Sequence, residues 1–518
     1  SADGRYALFS GSSDDIVAGD TNGQIDVFRR DMLTGTTTRV SVTAEGAEVA
    51  SNGSVFGPSS SAVSDDGRLV AFSSFSDAFG GRAGTFEAYV KNLDTGAVQV
   101  VNADSQGNLA DATGLLSSFS GNGRYVVIDT SATNLDGTLA DTNGVADVYM
   151  KDTLTGTMTR VSVSFGTQGN AASSGGQVSA DGRYVAYQTA STNLFFGDAN
   201  GASDVLRLDL RSGSTTLVSQ GTGGNGDAAS NVRAISADGQ RVLFTSASSN
   251  LVAGDGAGTV NLFLRDLRAG TTVAVDTDAA GTLGSGGTSD ADLSADGRYV
   301  AFVSSATNLV PGVSGNSIVY LKDLVTGAIA VVSVDAAGEP VTGNADARVS
   351  ADGSHVMFRA VSDTLDPGVG GGGSFHAYTV ANPLLSITLA GGAGNDSYLV
   401  ARAADRIVEA AGGGTDTVRA SVSVTLAANV ENLVLTGSAN LDGTGNASTN
   451  MLTGNAGDNR LDGGAGTDTA SYAAATDAVS VGLDVPGLAQ DTGGAGIDTL
   501  LGIENLIGSA FDDVLLGN

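Results

Sequence analysis

The residues best equipped for chemistry lie toward the C-terminal end. Gly391-Gly392-Ala393-Gly394-Asn395-Asp396-Ser397-Tyr398-Leu399 sets a carboxylate after a glycine-rich turn, with an apolar residue two places beyond it. Gly463 to Ser471 repeats the order around Asp468, with a small Ala470 at the apolar place, and Gly493 to Leu501 repeats it around Asp498. Degraded versions run over Ala411 to Val418 with Asp416, Gly454 to Asp462 with Asp458 beside Asn459, and Gly508 to Leu516 with Asp512 and Asp513. Glycines allow positive φ and let the turn aim its carbonyl oxygens inward. The Asp adds a charged, hard oxygen, and such donors suit Ca2+. Stacked in a parallel coil, successive turns would place ligands around a shared ion. The candidate ligands are Asp396, Asp416, Asp458, Asp468, Asp498, Asp512 and Asp513, with Gly391, Gly394, Gly463, Gly466, Gly493 and Gly496 shaping the turns.

A second set of oxygen donors lies in the N-terminal part. Asp20, Asn22 and Asp26 flank Gly23; Asp141, Asn143 and Asp147 flank Gly144; Asp198, Asn200 and Asp204 flank Gly201. Three hard oxygens at this spacing around a glycine can wrap a calcium ion. The same residues equally make an Asn-Gly turn bonded by its own Asp side chains. Asp255 to Asn261 keeps little of the pattern, and Gly81 to Glu87 less.

What must position these residues is legible as repetition. Ser294-Ala295-Asp296-Gly297-Arg298-Tyr299-Val300-Ala301-Phe302 has relatives beginning at Ser1, Ser64, Ser120, Ser179, Ser236 and Ser350, spaced 56 to 63 residues apart. A period this regular means one supersecondary unit copied seven times. In the sixth copy a strand precedes the turn at Ala295 to Gly297, and strands follow at Tyr299 to Val303, Ile318 to Lys322 and Ile329 to Val334. Four short strands joined by Asp-Gly and Thr-Gly turns imply antiparallel neighbours. Repeated radially they make a β-propeller. The turns resemble those of TolB-like propeller repeats, whose signature is Ser-x-Asp-Gly between the two inner strands. That resemblance covers about three quarters of the chain and implies a fold, not a function.

The expected fold class is therefore all-β. Residues 1–384 form a seven-bladed propeller, with six blades plus an irregular remainder as the alternative, and residues 385–518 form a parallel β-roll or β-helix. The strand before the turn occurs six times, because nothing precedes Ser1, so blade one lacks its inner strand unless upstream residues, the tail or another molecule supply it. The fourth strand also occurs six times, unless Leu384 to Leu389 supplies a seventh. Ser1 and Asn518 both fall inside repeats, and part of a longer protein is the expectation.

The tail's nonapeptides resemble those of the RTX (repeats-in-toxin) family of secreted calcium-binding β-rolls. That resemblance implies type I secretion of an unfolded chain that folds on meeting calcium outside the cell, although the usual C-terminal secretion signal is not visible after Leu516-Gly517-Asn518. Inserts such as Val422 to Leu435 separate the repeats, and Val430-Glu431-Asn432-Leu433 matches Ile503-Glu504-Asn505-Leu506, so fewer ions than in a perfect array are expected.

Composition narrows the function. The chain has 56 acidic and 25 basic residues, a net charge of −31, which repels nucleic acid and anionic membranes and favours cations. The segment 385–518 holds 16 acidic residues, four arginines and no lysine. Cysteine is absent, which excludes disulfides and thiolate chemistry. No apolar run is long enough for a membrane helix.

No catalytic residue is assigned. The Asp of each Ser-x-Asp-Gly turn reads as a turn-stabilising group. Of the two histidines, His355 falls on a strand that is apolar elsewhere and reads as packed, and no Gly-x-Ser-x-Gly elbow is present. The leading reading is a calcium-binding structural or interaction protein, extracellular or at a bacterial cell surface, with the propeller as a rigid display or assembly unit. Its partners would be calcium ions, neighbouring copies sharing strands, or an extracellular glycan or protein. The alternatives are a secreted hydrolase or lyase of extracellular polymers, or a glycan- or peptide-binding propeller. Acidic and arginine side chains clustered at the tunnel would favour the enzyme; a smooth Ser/Thr/Ala tunnel would favour the scaffold.

Overall fold

The computed structural model describes residues 1–518 apart from 50–60, 138, 140, 199, 222–223, 256–257, 336–337, 361–364, 366–375, 386–387, 401–404 and 518. It divides into two compact units, Ser1–Ser333 with Pro340–Asn382, and Val334–Glu339 with Pro383–Asn518. Among the described residues no helix is long and apolar enough to cross a membrane.

The first unit is a seven-bladed β-propeller. Five of its seven sheets have four strands, and blades one and seven have three. Blade six shows the unit: Thr288–Leu293, Tyr299–Ser304, Ile318–Asp323 and Ile329–Val331, each antiparallel to the next. Its two middle strands are buried along their whole length, so they read as continuous apolar runs rather than alternations. Phe302 lies opposite Tyr320 and stacks on it with centroids 5.6 Å apart, and Phe9–Phe28, Phe244–Phe263 and Phe358–Tyr378 repeat the pair in other blades.

The signature turn makes the contacts that space the blades. Asp296 Oδ1 accepts from the Ser294 hydroxyl at 2.6 Å and the Arg298 N–H at 3.0 Å, which closes the turn. Arg298 then grips Asp323 at the end of the third strand with two parallel bonds of 3.1 and 2.8 Å. The same fork joins Arg5 to Asp31, Arg124 to Asp152 and Arg183 to Asp209. The Tyr after each arginine packs on the turn glycine of the next blade. A side chain at Gly182 would collide with the Tyr125 ring, and at Gly353 with Tyr299.

Ring closure explains one histidine. His355 occupies the tyrosine position of blade seven and packs on Gly4 of blade one, with Ser354 Oγ 2.8 Å from its Nδ1. Backbone bonds from turn to turn, Ala237 to Ala295, Ala295 to Ala351 and Asp352 to Ala2, run on across the same junction. Seven blades therefore close in a ring, and the packed reading of His355 holds.

Blade one begins with Tyr6–Gly11 and lacks an inner strand among the described residues, and blade seven ends with His376–Ala381. Thr388–Ala390, within the stretch offered as a seventh outer strand, instead pairs in parallel with Arg406–Val408.

The second unit is a parallel β-solenoid. One ladder runs through Ser397–Val400, Thr417–Ala420, Asn432–Leu435, Met451–Thr453, Thr469–Ser471 and Asn505–Ile507. A second runs through Val424–Thr425, Asp442–Thr444, Arg460–Asp462 and Ile497–Leu501, with Ala489–Asp491 antiparallel at its edge. Tyr398, Val418, Leu433, Leu452, Ala470 and Leu506 stack in register, and the first five are buried. Each stands two residues beyond a polar corner, so the nonapeptide's apolar position is the core column.

Candidate functional site

Those polar corners form a column of their own. Asp396, Asp416, Glu431, Asn450, Asp468 and Glu504 each precede a strand of the first ladder. Successive coils are linked through them. The backbone N–H of Asp396 donates to Asp416 Oδ1 at 2.8 Å, and that of Asp416 to Glu431 Oε2 at 2.9 Å. The N–H of Asn450 donates to Asp468 Oδ1 at 2.7 Å, and that of Asp468 to Glu504 Oε2 at 2.7 Å. One carboxylate oxygen thus satisfies a corner amide, as a side chain must where a coil turns without a ladder partner.

The other oxygen is left over. Asp416 and Asp468 are fully buried, and in each Oδ2 is enclosed without a hydrogen-bond partner. An unpartnered buried carboxylate oxygen is costly, so it marks a place for a cation or a proton. Asp396, Glu409 and Asp416 bring ligand oxygens within 4.8 Å of one another. Glu409 Oε2 accepts from the Tyr398 hydroxyl, and Gly392 N–H donates to Asp396 Oδ2 at 3.0 Å. Gly391 has to be glycine here, because a Cβ would strike the Tyr398 hydroxyl, Glu409 Oε2 and Asp396 Oδ2. A Cβ at Gly463 would likewise strike Asp468 Oδ2. All of these donors are hard oxygens, a set that fits calcium.

The remaining sequence candidates are spread over other columns. Asp498 is buried and accepts the Asn459 N–H at 2.9 Å, while Asp458 accepts the Ile497 N–H at 2.9 Å. Burial, with Asp458 adding to it, pushes the Asp498 carboxyl up to about 6. Burial also raises Asp468, and Glu504 adds to that. Asp513 accepts from Val479 N–H at 2.9 Å, whereas Asp512 is exposed. Gly394, Gly466, Gly493 and Gly496 have positive φ. Glu409, Glu431 and Glu504 lie outside the nonapeptide ligand positions; the repeated Glu-Asn-Leu of the inserts is the sequence signal for two of them.

In the propeller loops, protein cations already stand among the acids of two copies. Arg39 Nη1 lies 2.8 Å from Asp20, 3.5 Å from Asp26 and 2.8 Å from Glu48, while Asn22 Nδ2 donates to Asp26 at 3.1 Å. The Thr21 N–H and Arg39 hold Glu48 down at about 2. In the third copy Gln168 Nε2 bridges Asp141 at 2.6 Å and Asp147 at 3.1 Å, Arg160 stands 3.8 Å from Asp147, and Asn143 reaches Gly169 O at 2.8 Å. The fourth copy has Leu217 at the arginine position. There Asp204 has Ser219 at 2.7 Å and Asn200 Nδ2 at 3.5 Å, and Asp198 Oδ1 is buried without a partner. Ala199 of this loop, and Gly256 and Ala257 of the fifth, lie outside the described residues.

The propeller axis carries a further group. A cavity of about 1270 Å³ is walled by strands of all seven blades, and Arg233, Asp290, Asp292, Asp346, Arg348 and Arg359 from blades five to seven line it. It is a charged channel, not a smooth Ser/Thr/Ala tunnel.

No protein-family model matches the chain, and no curated protein matches it. Among solved structures the chain is similar to a putative TolB from Agrobacterium tumefaciens, at 15% identity over 67% of this chain and 95% of that one, with a TM-score of 0.36. An oligogalacturonate lyase in complex with manganese matches at 13% identity over 73% and 86%, with a TM-score of 0.44. The β-propeller domain of the Trilobed protease from Pyrococcus furiosus matches at 12% over 69% and 88%, with a TM-score of 0.39. Likeness at this level concerns the fold alone. The fold defines a seven-bladed β-propeller followed by a parallel β-solenoid, with a TolB protein among the propeller's structural neighbours.

Proposed function

We propose that the protein is a calcium-binding structural or interaction protein, secreted or held at a cell surface, whose solenoid folds stably only when calcium fills its acidic corners. The observation that carries this is the Asp396, Glu409 and Asp416 cluster, in which a fully buried carboxylate keeps one oxygen without a partner. Asp468 repeats that condition within the same column. Asp396, Glu409 and Asp416 would hold one ion, and Asp468 with Glu504 would contribute to another. Calcium supplies a positive charge that no salt-bridging side chain among the described residues supplies there. A site filled at ten times its Kd adds about 1.4 kcal/mol, and several such sites are a large share of a domain's marginal stability. Extracellular modules bind at about 10⁻⁴–10⁻³ M, so the solenoid would fill outside cells. In the propeller loops the calcium reading narrows to Asp198 and Asp204, where no arginine or glutamine bonds the acids among the described residues.

Calorimetry of the chain in calcium and in EGTA tests this. Two transitions are expected in calcium, one of which weakens or disappears on chelation. A thermogram indifferent to EGTA sinks the proposal.

A second reading concerns the propeller alone. The arginines and carboxylates gathered at its axis favour a ligand-binding or catalytic channel over a passive scaffold.

A further inference from the structure

The channel charges are not evenly matched. Arg348 pairs with Asp290 at 2.7 Å, and Arg359 pairs with Asp346. Arg233 makes no salt bridge among the described residues. Its Nε donates to the buried Thr245 hydroxyl at 3.2 Å, which restrains the guanidinium plane, and the residue lines the channel. Burial and the neighbouring Arg348 both disfavour its charge, and only Asp290 offsets them at a distance. Asp292 does not supply the missing partner. It accepts from the Val349 N–H at 3.0 Å, and burial pushes its carboxyl up, toward the neutral form.

Backbone irregularities place these groups. The pairing of Ser230–Ile235 with Arg241–Ser246 slips between Val232 and Ala234, so Arg233 is the bulged residue and is turned out of the regular ladder. In blade seven the pairing slips between Ala345 and Arg348. Asp346 in that bulge has φ +54°, a conformation that an L-residue other than glycine adopts at a cost. The same slip recurs in the inner strands of blades three, four and six, so the bulge belongs to the repeat, and what differs in blades five and seven is the charged residue it carries.

We propose that the axial channel binds a carboxylate ligand and that Arg233 grips it through a bidentate pair. A guanidinium fork matches a carboxylate in shape and charge. Arg233 offers one guanidinium without a salt bridge among the described residues, which suits a single carboxylate, and Asp65, Asp290 and Asp346 on the same wall would oppose a more highly charged anion. Phe9 and Phe119, also on the channel wall, offer apolar surface for the ligand's body. The inference rests on the ligand-binding reading of the propeller and not on calcium.

The test is titration calorimetry of the 518-residue chain with benzoate and with benzamide, its neutral counterpart, in calcium buffer. Benzoate is expected to bind at least tenfold more tightly than benzamide, and Arg233→Gln is expected to remove that preference. Equal binding of both probes overturns the carboxylate assignment but leaves a binding channel. Binding of neither overturns both. Unchanged benzoate affinity in a folded Arg233→Gln protein overturns the role of Arg233. Should that variant not fold, Asp290→Asn frees Arg348 and is expected to tighten benzoate binding several-fold; no change there overturns the proposal.

Discussion

Asp31, Asp152, Asp209 and Asp323 of the propeller each receive a two-pronged arginine, and the bond from that arginine, more than any other group, holds Asp152 and Asp209 down at about 2. Asp416 and Asp468 of the solenoid receive a backbone N–H on one oxygen and no salt bridge among the described residues. The topologies account for the contrast. An antiparallel blade brings a turn at one strand's start beside the end of a strand about 25 residues later, so an arginine and an aspartate written into the repeat can meet, as they do with both prongs in four of the blades. A parallel coil stacks like on like, and an acidic corner lies above the next acidic corner. Repetition in the first geometry pairs charges; in the second it accumulates them. The propeller therefore carries its counter-charges in its sequence, and the solenoid has to take them from solution.

Removing calcium should break the two apart most visibly. With EGTA the solenoid transition is expected to fall by roughly 10 °C or more, or to vanish, while the propeller transition stays within about 2 °C. Calorimetry with circular dichroism separates them, and a shift of both transitions by equal amounts would contradict the contrast. Gly182→Ala probes the other side. It forces a side chain into positive φ and against Tyr125, and should cost about 2–4 kcal/mol in the propeller transition, equally with and without calcium. A calcium-dependent loss would mean that the propeller, too, depends on the metal.

Asp468→Asn should change sign with conditions. In calcium it removes a ligand charge, and the affinity of the solenoid should fall at least tenfold. In EGTA it removes an unneutralised buried charge, and the solenoid should gain about 1–3 kcal/mol. Loss of stability in both buffers would make Asp468 a plain structural corner, valued for the bond it accepts from Asn450.

Features written once per repeat were legible in the sequence. The seven turns, the antiparallel strands and the apolar position two residues beyond each corner follow from period and pattern, whereas the sharing of one column by Asp396, Asp416 and Asp468 but not by the equally matching Asp498 does not. Features that depend on which distant side chains meet were not. Nothing local to Asp20 or Asp26 says that Arg39 will stand between them, or that Leu217 will leave the fourth loop without that cation. Glu409 lies outside the nonapeptide and reaches Asp396 only because the coil returns there. The channel cluster depends on which charged residue each blade carries beside a bulge that recurs in blades three to seven, and periodicity does not say which of them meet.

The smallest expected effect is in pH, and it separates the two units only when calcium is present. Glu87 is buried in blade two, and burial lifts its carboxyl from 4.5 to about 7. The folded propeller then holds a proton that the unfolded chain releases, so this contribution is full below pH 4.5 and is lost as pH rises toward 7, whether or not calcium is present. Asp498 in the solenoid rises from 3.8 to about 6 for the same reason, and without calcium its contribution is likewise lost between those values. Were Asp498 to give its free oxygen to a calcium ion, binding would release that proton and the loss would be cancelled. Calcium affinity should then increase as pH rises toward 6 and level off above it, and in saturating calcium the solenoid transition should hold level over the interval in which the Glu87 contribution falls. Titrations at pH 5, 6 and 7 on the native chain and on Asp498→Asn measure this. A slope that survives in Asp498→Asn would assign the coupling to another corner, and a solenoid transition that falls with pH in saturating calcium would remove Asp498 from the metal site.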